Sequence, residues 1–177
     1  MRIAIDARML KPTSMHGIAR YVWHLIENLT QLDNKHEFFI LVNKKSFLKP
    51  ESLRSNFKLI EIKSSWISIT EHIEIPLVLK KLQIDLFHAP SYIAPIFTHS
   101  KMLMTIHDLN HLVLPQFYTT LHKIYYDIIV KTCIKKSVYI LTVSEFSKKE
   151  IHQKLGVSLD KIIVTYNGIS NNYYPRT

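Results

Sequence analysis

The chain has 177 residues, of which 47% are hydrophobic and 21% are charged. Disordered chains are poorer in apolar residues, so this composition excludes a disordered protein and favours one folded domain with a full core. The formal net charge of +9 attracts anionic partners, and no run approaches the roughly 18 apolar residues that a membrane span needs.

The predicted strands are short apolar runs that alternate with helical patterns. They lie at residues 2–7, 37–42, 57–62, 84–88, 102–106, 138–143 and 162–164. Strands that alternate with helices favour parallel pairing. We therefore expect an α/β fold, with a Rossmann-like, doubly wound, mainly parallel sheet and helices on both faces.

The predicted helices have apolar residues at helical spacing. They lie at residues 18–32, 66–82, 121–132 and 147–155. Pro76 must kink the second of them or begin a new turn there. Gly156 follows the last helix and is typical of a helix C-cap.

Polar side chains follow two of the predicted strands. His107 and Asp108 come directly after the fifth strand, and Ser144 and Glu145 come after the sixth, at the start of a helical pattern. Ligands of open α/β sheets bind at the carboxyl ends of the strands. We therefore expect these residues to line one cleft.

Two other interpretations of His107 stay open at this point. An imidazole at a strand end also forms backbone hydrogen bonds with no functional role. With Asp108 and His111 it would offer two imidazoles and a carboxylate to a metal. No further ligand cluster of recognisable spacing supports a metal site.

The first loop adds candidate ligands for an anion. Gly17 lies where this loop meets the first helix, so its backbone amide is open to an approaching anion. Arg8 ends the first strand and Arg20 lies in the first helical turn, where either is suited to phosphate or sugar hydroxyls. A tight entry turn at Gly17 and a surface position for Arg20 are the alternatives.

The motifs of the commonest functions of this fold class are absent. With only 3 glycines the chain has no Walker A run and no G-x-G-x-x-G, and it has no G-x-S-x-G. P-loop hydrolysis, ordinary dinucleotide binding and α/β-hydrolase chemistry are therefore disfavoured. Nucleic-acid binding is also disfavoured, because no recognised reading motif accompanies the positive charge.

Six sequence blocks, taken in order, resemble a known family. They are Asp6-Ala7-Arg8, Gly17-Ile18-Ala19-Arg20-Tyr21, Asp85-Leu86-Phe87-His88-Ala89-Pro90, His107-Asp108-Leu109, Val143-Ser144-Glu145-Phe146-Ser147-Lys148 and Tyr166-Asn167-Gly168-Ile169. In order and spacing they resemble the amino-terminal half of family 4 glycosyltransferases of the GT-B type. Two positions depart from the family: Ala19 stands where a second glycine is usual, and Ser170 where an aspartate is frequent.

The resemblance implies retaining sugar transfer by an enzyme of two Rossmann-like domains. Residues 1–177 would be its amino-terminal, acceptor-side domain, without the carboxy-terminal domain that binds most of the nucleotide-sugar. The Gly17 loop would face the donor's diphosphate, His107 would lie beside the transferred sugar, and the cleft would receive a glycan or glycolipid acceptor. The residues expected to bind substrate are Arg8, Gly17, Arg20, Asp108, Ser144, Glu145 and Asn167. The donor is then a substrate, and we expect no cofactor and no metal.

The location and a second function are also predicted. The apolar run at the amino terminus ends at the acidic Asp6 and is too short for a signal peptide, so we expect a cytoplasmic protein. Any contact with lipid would be a peripheral contact with the inner face of the membrane. The alternative function is a non-catalytic module that binds an anionic membrane or glycolipid partner. It would use the lysines together with Trp66, Tyr92 and Phe97.

Overall fold

The structure is a computed structural model that describes residues 1–11, 16–32, 35–43, 53–109 and 126–168. Its strands are β1 (Arg2–Asp6), β2 (Glu37–Val42), β3 (Phe57–Glu61), β4 (Leu86–Ala89), β5 (Lys101–Thr105), β6 (Ser137–Thr142) and β7 (Ile162–Val164). They form one seven-stranded sheet in the order β3-β2-β1-β4-β5-β6-β7, and each neighbouring pair is parallel. The predicted parallel, doubly wound sheet is confirmed.

Helices connect most of these strands. The described ones are α1 (Gly17–Leu32), α2 (Glu71–Lys81), α3 (Lys131–Lys136) and α4 (Glu145–Leu155), with a π-helical turn at Tyr126–Val130 that leads into α3. Much of the predicted helix at 121–132 lies outside the described residues. Among the residues described here, no helix has the length and apolar content to cross a bilayer.

The helices cover both faces of the sheet. On one face α1 buries Ala19, Val22 and Ile26 against β1 and β2. On the other face α2, α3 and α4 contribute to a single buried cluster through Ile75, Leu79, Cys133, Ile134 and Ile151. Full burial of each large side chain contributes about 1.5–3 kcal/mol, so packing on the sheet holds these short helices in place.

The strand order reverses between β1 and β4, which pair side by side. Crevices at such a switch point, outside the carboxyl ends of the strands, are where doubly wound sheets bind ligands. Here β1 ends at Asp6 and β4 ends at Ala89. The loops that begin with Arg8 and Pro90 therefore flank the crevice.

The segment around Pro76 forms a single helix. Pro76 lies inside α2, and the Glu74 carboxylate accepts hydrogen bonds from the backbone N–H groups of Lys63 at 2.9 Å and Ser64 at 2.7 Å. These bonds attach α2 to the chain that leaves β3. Glu71, in the first turn, is completely buried rather than solvated.

Candidate functional site

Hydrogen bonds join the ends of β5 and β6. The Ser144 side chain caps α4 by accepting from the Ser147 N–H at 3.0 Å, and its hydroxyl lies 3.0 Å from that of Ser147. The Ser147 hydroxyl in turn donates to the carbonyl oxygen of His107 at 3.2 Å. The structure therefore brings the His107 and Ser144 strand ends to the same edge.

The His107 ring is held by the chain that leaves β4. Its Nε2 lies 3.1 Å from the Pro90 carbonyl oxygen, which only accepts hydrogen bonds, so Nε2 carries a proton and donates. In the neutral ring the lone pair is then on Nδ1. Burial lowers the pKa of His107, against the opposing effects of the Pro90 carbonyl and Asp108, so the neutral form is favoured near pH 7.

Tyr21 of α1 packs against His107. The two rings meet edge to face at 85°, with their centroids 4.8 Å apart. Burial raises the pKa of the Tyr21 hydroxyl, against the lowering effects of the neighbouring Thr105 and Thr165 side chains. Tyr21 therefore joins α1 to the ends of β5 and β7 and forms one wall beside His107.

A second histidine lies beneath this edge. His88, the third residue of β4, is buried, and its Nε2 lies 2.8 Å from the Thr105 hydroxyl. Burial, with a smaller effect of His107, lowers its pKa to about 4, while Asp6 opposes the shift. His88 is therefore neutral at pH 7 and supports the Thr105 side chain.

Five predicted ligands are exposed. Gly17 begins α1, Arg20 lies in its first turn, Asp108 follows His107, Glu145 begins α4 and Asn167 follows β7. A Cβ added at Gly17 would meet open space, so packing does not require a glycine there. These residues are accessible to a ligand at the carboxyl edge.

Arg8 is buried, whereas the sequence predicts that it binds a ligand. It is only 3% exposed. Its guanidinium donates to Asp6 at 2.9 and 2.8 Å, to Glu71 at 2.9 Å, and to the carbonyl oxygens of Ser64 and Ser65 at 3.3 and 3.1 Å. These bonds use all of its N–H groups, so in this arrangement Arg8 holds the loop after β3 against β1 and has no donor left for a ligand.

The two carboxylates control the charge state of this buried cluster. Burial alone would lower the pKa of Arg8, but Asp6 and Glu71 outweigh it and raise the pKa, so the guanidinium stays charged. Burial raises the pKa of Glu71, against the lowering effect of Arg8. The cluster therefore pairs a permanent cation with one carboxylate that burial pushes towards its neutral form.

A cleft of about 500 Å³ opens beside this cluster, at the ends of β1, β2 and β3. Its walls combine charged, amide and aromatic groups, from Arg8, Met9, Lys11, His16, Asn43, Glu61, Ile62, Lys63, Ser65 and Trp66. The rings of His16 and Trp66 stack with centroids 5.9 Å apart. The cleft has a volume in the range of small-ligand sites, with mainly polar walls around one aromatic stack.

The metal interpretation has no support in the described part of the chain, where no group of three or more His, Cys, Asp or Glu side chains is placed to hold an ion. His111, which that interpretation needs, lies outside the described residues.

Sequence reasoning missed the residues that position the site. Tyr21 and Glu71 both lie within predicted helices, and the helical spacing alone gives neither of them a role at the site. The sequence does indicate the position of His88, because this residue ends a predicted strand and so belongs to the same sheet edge as His107.

Known proteins resemble this chain in both sequence and fold. The model of glycosyltransferase family 4 matches residues 15–172. O-antigen chain mannosyltransferase B of Escherichia coli is 26% identical over 92 residues, which cover 52% of this chain and 24% of that protein.

Two solved structures share the fold. A glycosyltransferase from Rickettsia africae ESF-5 matches 95% of this chain and 43% of its own, with a TM-score of 0.54 and 20% identity. The lipopolysaccharide outer core galactosyltransferase WaaB, in its apo form, matches 96% of this chain and 46% of its own, with a TM-score of 0.58 and 18% identity. The chain thus spans less than half the length of these structures.

Proposed function

This chain belongs to glycosyltransferase family 4, and on that premise we propose that it is the acceptor-side domain of a retaining glycosyltransferase. The enzyme would move a hexose from a nucleotide-sugar to a glycan or glycolipid acceptor at the cytoplasmic side of a membrane. A second domain would supply most of the donor site. The main support is the shared edge at which Tyr21, Ser147 and Pro90 all contact His107.

His107 is proposed to orient the transferred sugar. With Nε2–H donated to Pro90, the Nδ1 lone pair accepts a hydrogen bond from a sugar hydroxyl. Positive charge develops on the sugar as the leaving group departs, and a neutral ring does not repel it. The lowered pKa of His107 therefore suits this role.

The leaving diphosphate is proposed to lie at the start of α1. Backbone N–H groups are unpaired in the first turn of a helix and attract anions, and Arg20 adds a positive charge to a turn that has no acidic residue. Asp108, Ser144, Glu145 and Asn167 would bind hydroxyl groups of the same donor. In a front-face step the acceptor oxygen bonds to the anomeric carbon while the bond to phosphate breaks, and the leaving phosphate takes the acceptor proton.

The acceptor is proposed to occupy the cleft at the ends of β1, β2 and β3. Trp66 and His16 give it a flat aromatic wall, while Asn43, Glu61 and Lys63 place amide, carboxylate and ammonium groups around it. Such a combination suits sugar rings, which have apolar faces and hydroxyl edges. His16 directly precedes Gly17, so the cleft adjoins the proposed diphosphate position.

The role of His107 is tested with His107→Ala in the full-length enzyme. We expect kcat to fall by about 100-fold or more, the usual effect of removing one hydrogen bond to the reacting centre. The free energy of unfolding should fall by only about 1–2 kcal/mol, because the variant loses the hydrogen bond to Pro90 and the ring contact with Tyr21. His99→Ala, at an exposed histidine before the amino end of β5, is the matched control and should keep full activity. Near wild-type turnover of His107→Ala would refute the role.

A second variant tests the diphosphate position. Gly17→Ala adds a methyl group where the structure has open space, so its stability should stay within about 1 kcal/mol of wild type. A phosphate in close approach to this backbone would be displaced, and kcat/KM should fall. Unchanged kcat/KM would show that the donor does not approach Gly17.

A further inference from the structure

The outer side of α2 bears an exposed aliphatic row. Ile69, just before the helix, is 85% exposed, and Ile73 and Leu77 follow at intervals of four residues with 66% and 62% exposure. Residues four apart lie on one side of a helix. The opposite side already packs on the sheet through Ile75 and Leu79. This helix therefore has a second apolar side with no partner among the described residues.

Positive charge continues the row. Lys80 and Lys81 lie three and four residues after Leu77, so they extend the same side of α2 at its carboxyl end. The acidic residues of the helix do not cancel them there. Glu71 is buried against Arg8, and Glu74 lies in the first turn, at the opposite end of the helix from these lysines.

The loop between β4 and β5 extends this surface towards α3. The N–H of Ile96 donates to His72 of α2 at 3.3 Å, and its carbonyl oxygen accepts from the Lys136 Nζ of α3 at 3.0 Å. Phe97, between the two helices, is 67% exposed, with the Lys136 ammonium 5.0 Å from its ring centre. We define the α2–α3 surface by Ile69, Ile73, Leu77, Phe97, Lys81 and Lys136.

We infer that the α2–α3 surface docks on an anionic lipid bilayer. Aliphatic and aromatic side chains next to lysines are the pattern of interfacial membrane binding, in which apolar groups enter the acyl boundary and ammonium groups meet lipid phosphates. The net charge of +9 adds long-range attraction to such a surface. An anionic bilayer offers acyl chains to the apolar side chains of this surface and phosphates to its lysines.

The surface differs from the one predicted from the aromatic residues alone. Phe97 belongs to it, but Tyr92 packs against the core, and Trp66 lies in the cleft beside His16. Ile69 follows Trp66 closely along the chain. A docked molecule would hold the cleft at the lipid surface. A lipid-linked acceptor would enter the cleft there, and this role of the surface rests on the proposed function.

The test is sedimentation of the 177-residue chain with phosphatidylcholine vesicles, with and without phosphatidylglycerol, at two ionic strengths. We expect binding that needs phosphatidylglycerol and weakens at high salt. Ile73→Ser with Leu77→Ser should weaken it by about tenfold or more. Lys81→Gln should weaken it by about fivefold. None of these side chains is buried, so the variants should unfold at the wild-type urea concentration.

Matched controls lie away from the surface. Leu159→Ser removes an exposed leucine next to β7, and Lys149→Gln removes an exposed lysine of α4. Both should bind vesicles as the wild type does. Equal weakening by the controls would overturn the inference. So would an absence of lipid binding, or a change of oligomeric state in Ile73→Ser with Leu77→Ser, which would identify a second copy as the occupant.

Discussion

The phenol ring of Tyr21 meets the imidazole of His107 edge to face, with 4.8 Å between the ring centroids. The two residues come from α1 and from the end of β5, which lie far apart in the chain. Burial raises the pKa of the Tyr21 hydroxyl, and the side chains of Thr105 and Thr165 beside it oppose the shift, so the far end of this ring is packed into the fold. The orientation of His107 therefore depends on a helix far before it in the sequence as well as on Pro90.

Tyr21→Phe should separate the effect of the Tyr21 hydroxyl from the effect of the ring contact with His107. It keeps the ring but removes the half-buried hydroxyl, and we expect a loss of about 1 kcal/mol in the free energy of unfolding. In the full-length enzyme kcat should fall while KM for the donor changes little, because the misplaced group is His107. Tyr21→Leu, which also removes the ring, should lower kcat further.

The readout specific to positioning is the tautomer of His107, measured by nitrogen NMR. We expect the wild type to carry its proton on Nε2, and Tyr21→Leu to show a mixture of both neutral forms. Ile163→Ala changes a side chain exposed on β7 and is the control. An unchanged kcat in both Tyr21 variants would contradict the positioning role.

The sequence predicts the sheet well because parallel strands are buried on both faces and are therefore continuous apolar runs. The predicted strand at 37–42 matches β2 without change. The sequence also predicts that His107 and Ser144 lie at one edge of the sheet, since the carboxyl ends of parallel strands meet at the same edge. A serine before a helical pattern also suggests the Ser144 cap of α4, whereas the bond from Ser147 to the His107 carbonyl is a tertiary contact.

The sequence does not predict which charges are buried. The sequence predicts that Arg8 binds a ligand, and no pattern in it predicts that Glu71 is buried, because both residue types are usually exposed. Their pairing joins positions on β1 and α2 that only the tertiary fold brings together. The cleft was missed for the same reason, since its walls come from three separate loops.

Arg8→Met should be strongly destabilising. It leaves Asp6 and Glu71 buried without their cation, and removing one partner of a buried ion pair costs about 3–5 kcal/mol. Glu71→Gln should cost less, because burial already favours the neutral form of this side chain. Urea unfolding at pH 7 measures both.

Arg2→Met is the matched control for that prediction. Arg2 pairs with Glu37 at 3.7 Å, and both side chains are substantially exposed. Exposed pairs contribute about 0–1 kcal/mol, so this variant should be nearly as stable as the wild type. If Arg8→Met were no more destabilising than Arg2→Met, the buried cluster would not hold the loop as described.

His88 should make the fold sensitive to acid. Its pKa in the folded protein, about 4, is below the ordinary value of 6.5, so folding favours the neutral ring. The stability that this provides is complete above pH 6.5 and is lost as the pH falls from 6.5 towards 4. For this residue alone the loss between pH 7.5 and pH 5 is about 2 kcal/mol.

His88→Gln tests this dependence, because glutamine is able to bond the Thr105 hydroxyl and does not titrate. Urea unfolding at pH 7.5 and pH 5 should show a smaller difference in this variant than in the wild type. Part of the difference should persist, since burial also lowers the pKa of His107 and His72. His99→Gln, at an exposed position, should keep the wild-type difference. An undiminished difference in His88→Gln would mean that His88 is not the buried neutral base that the structure describes.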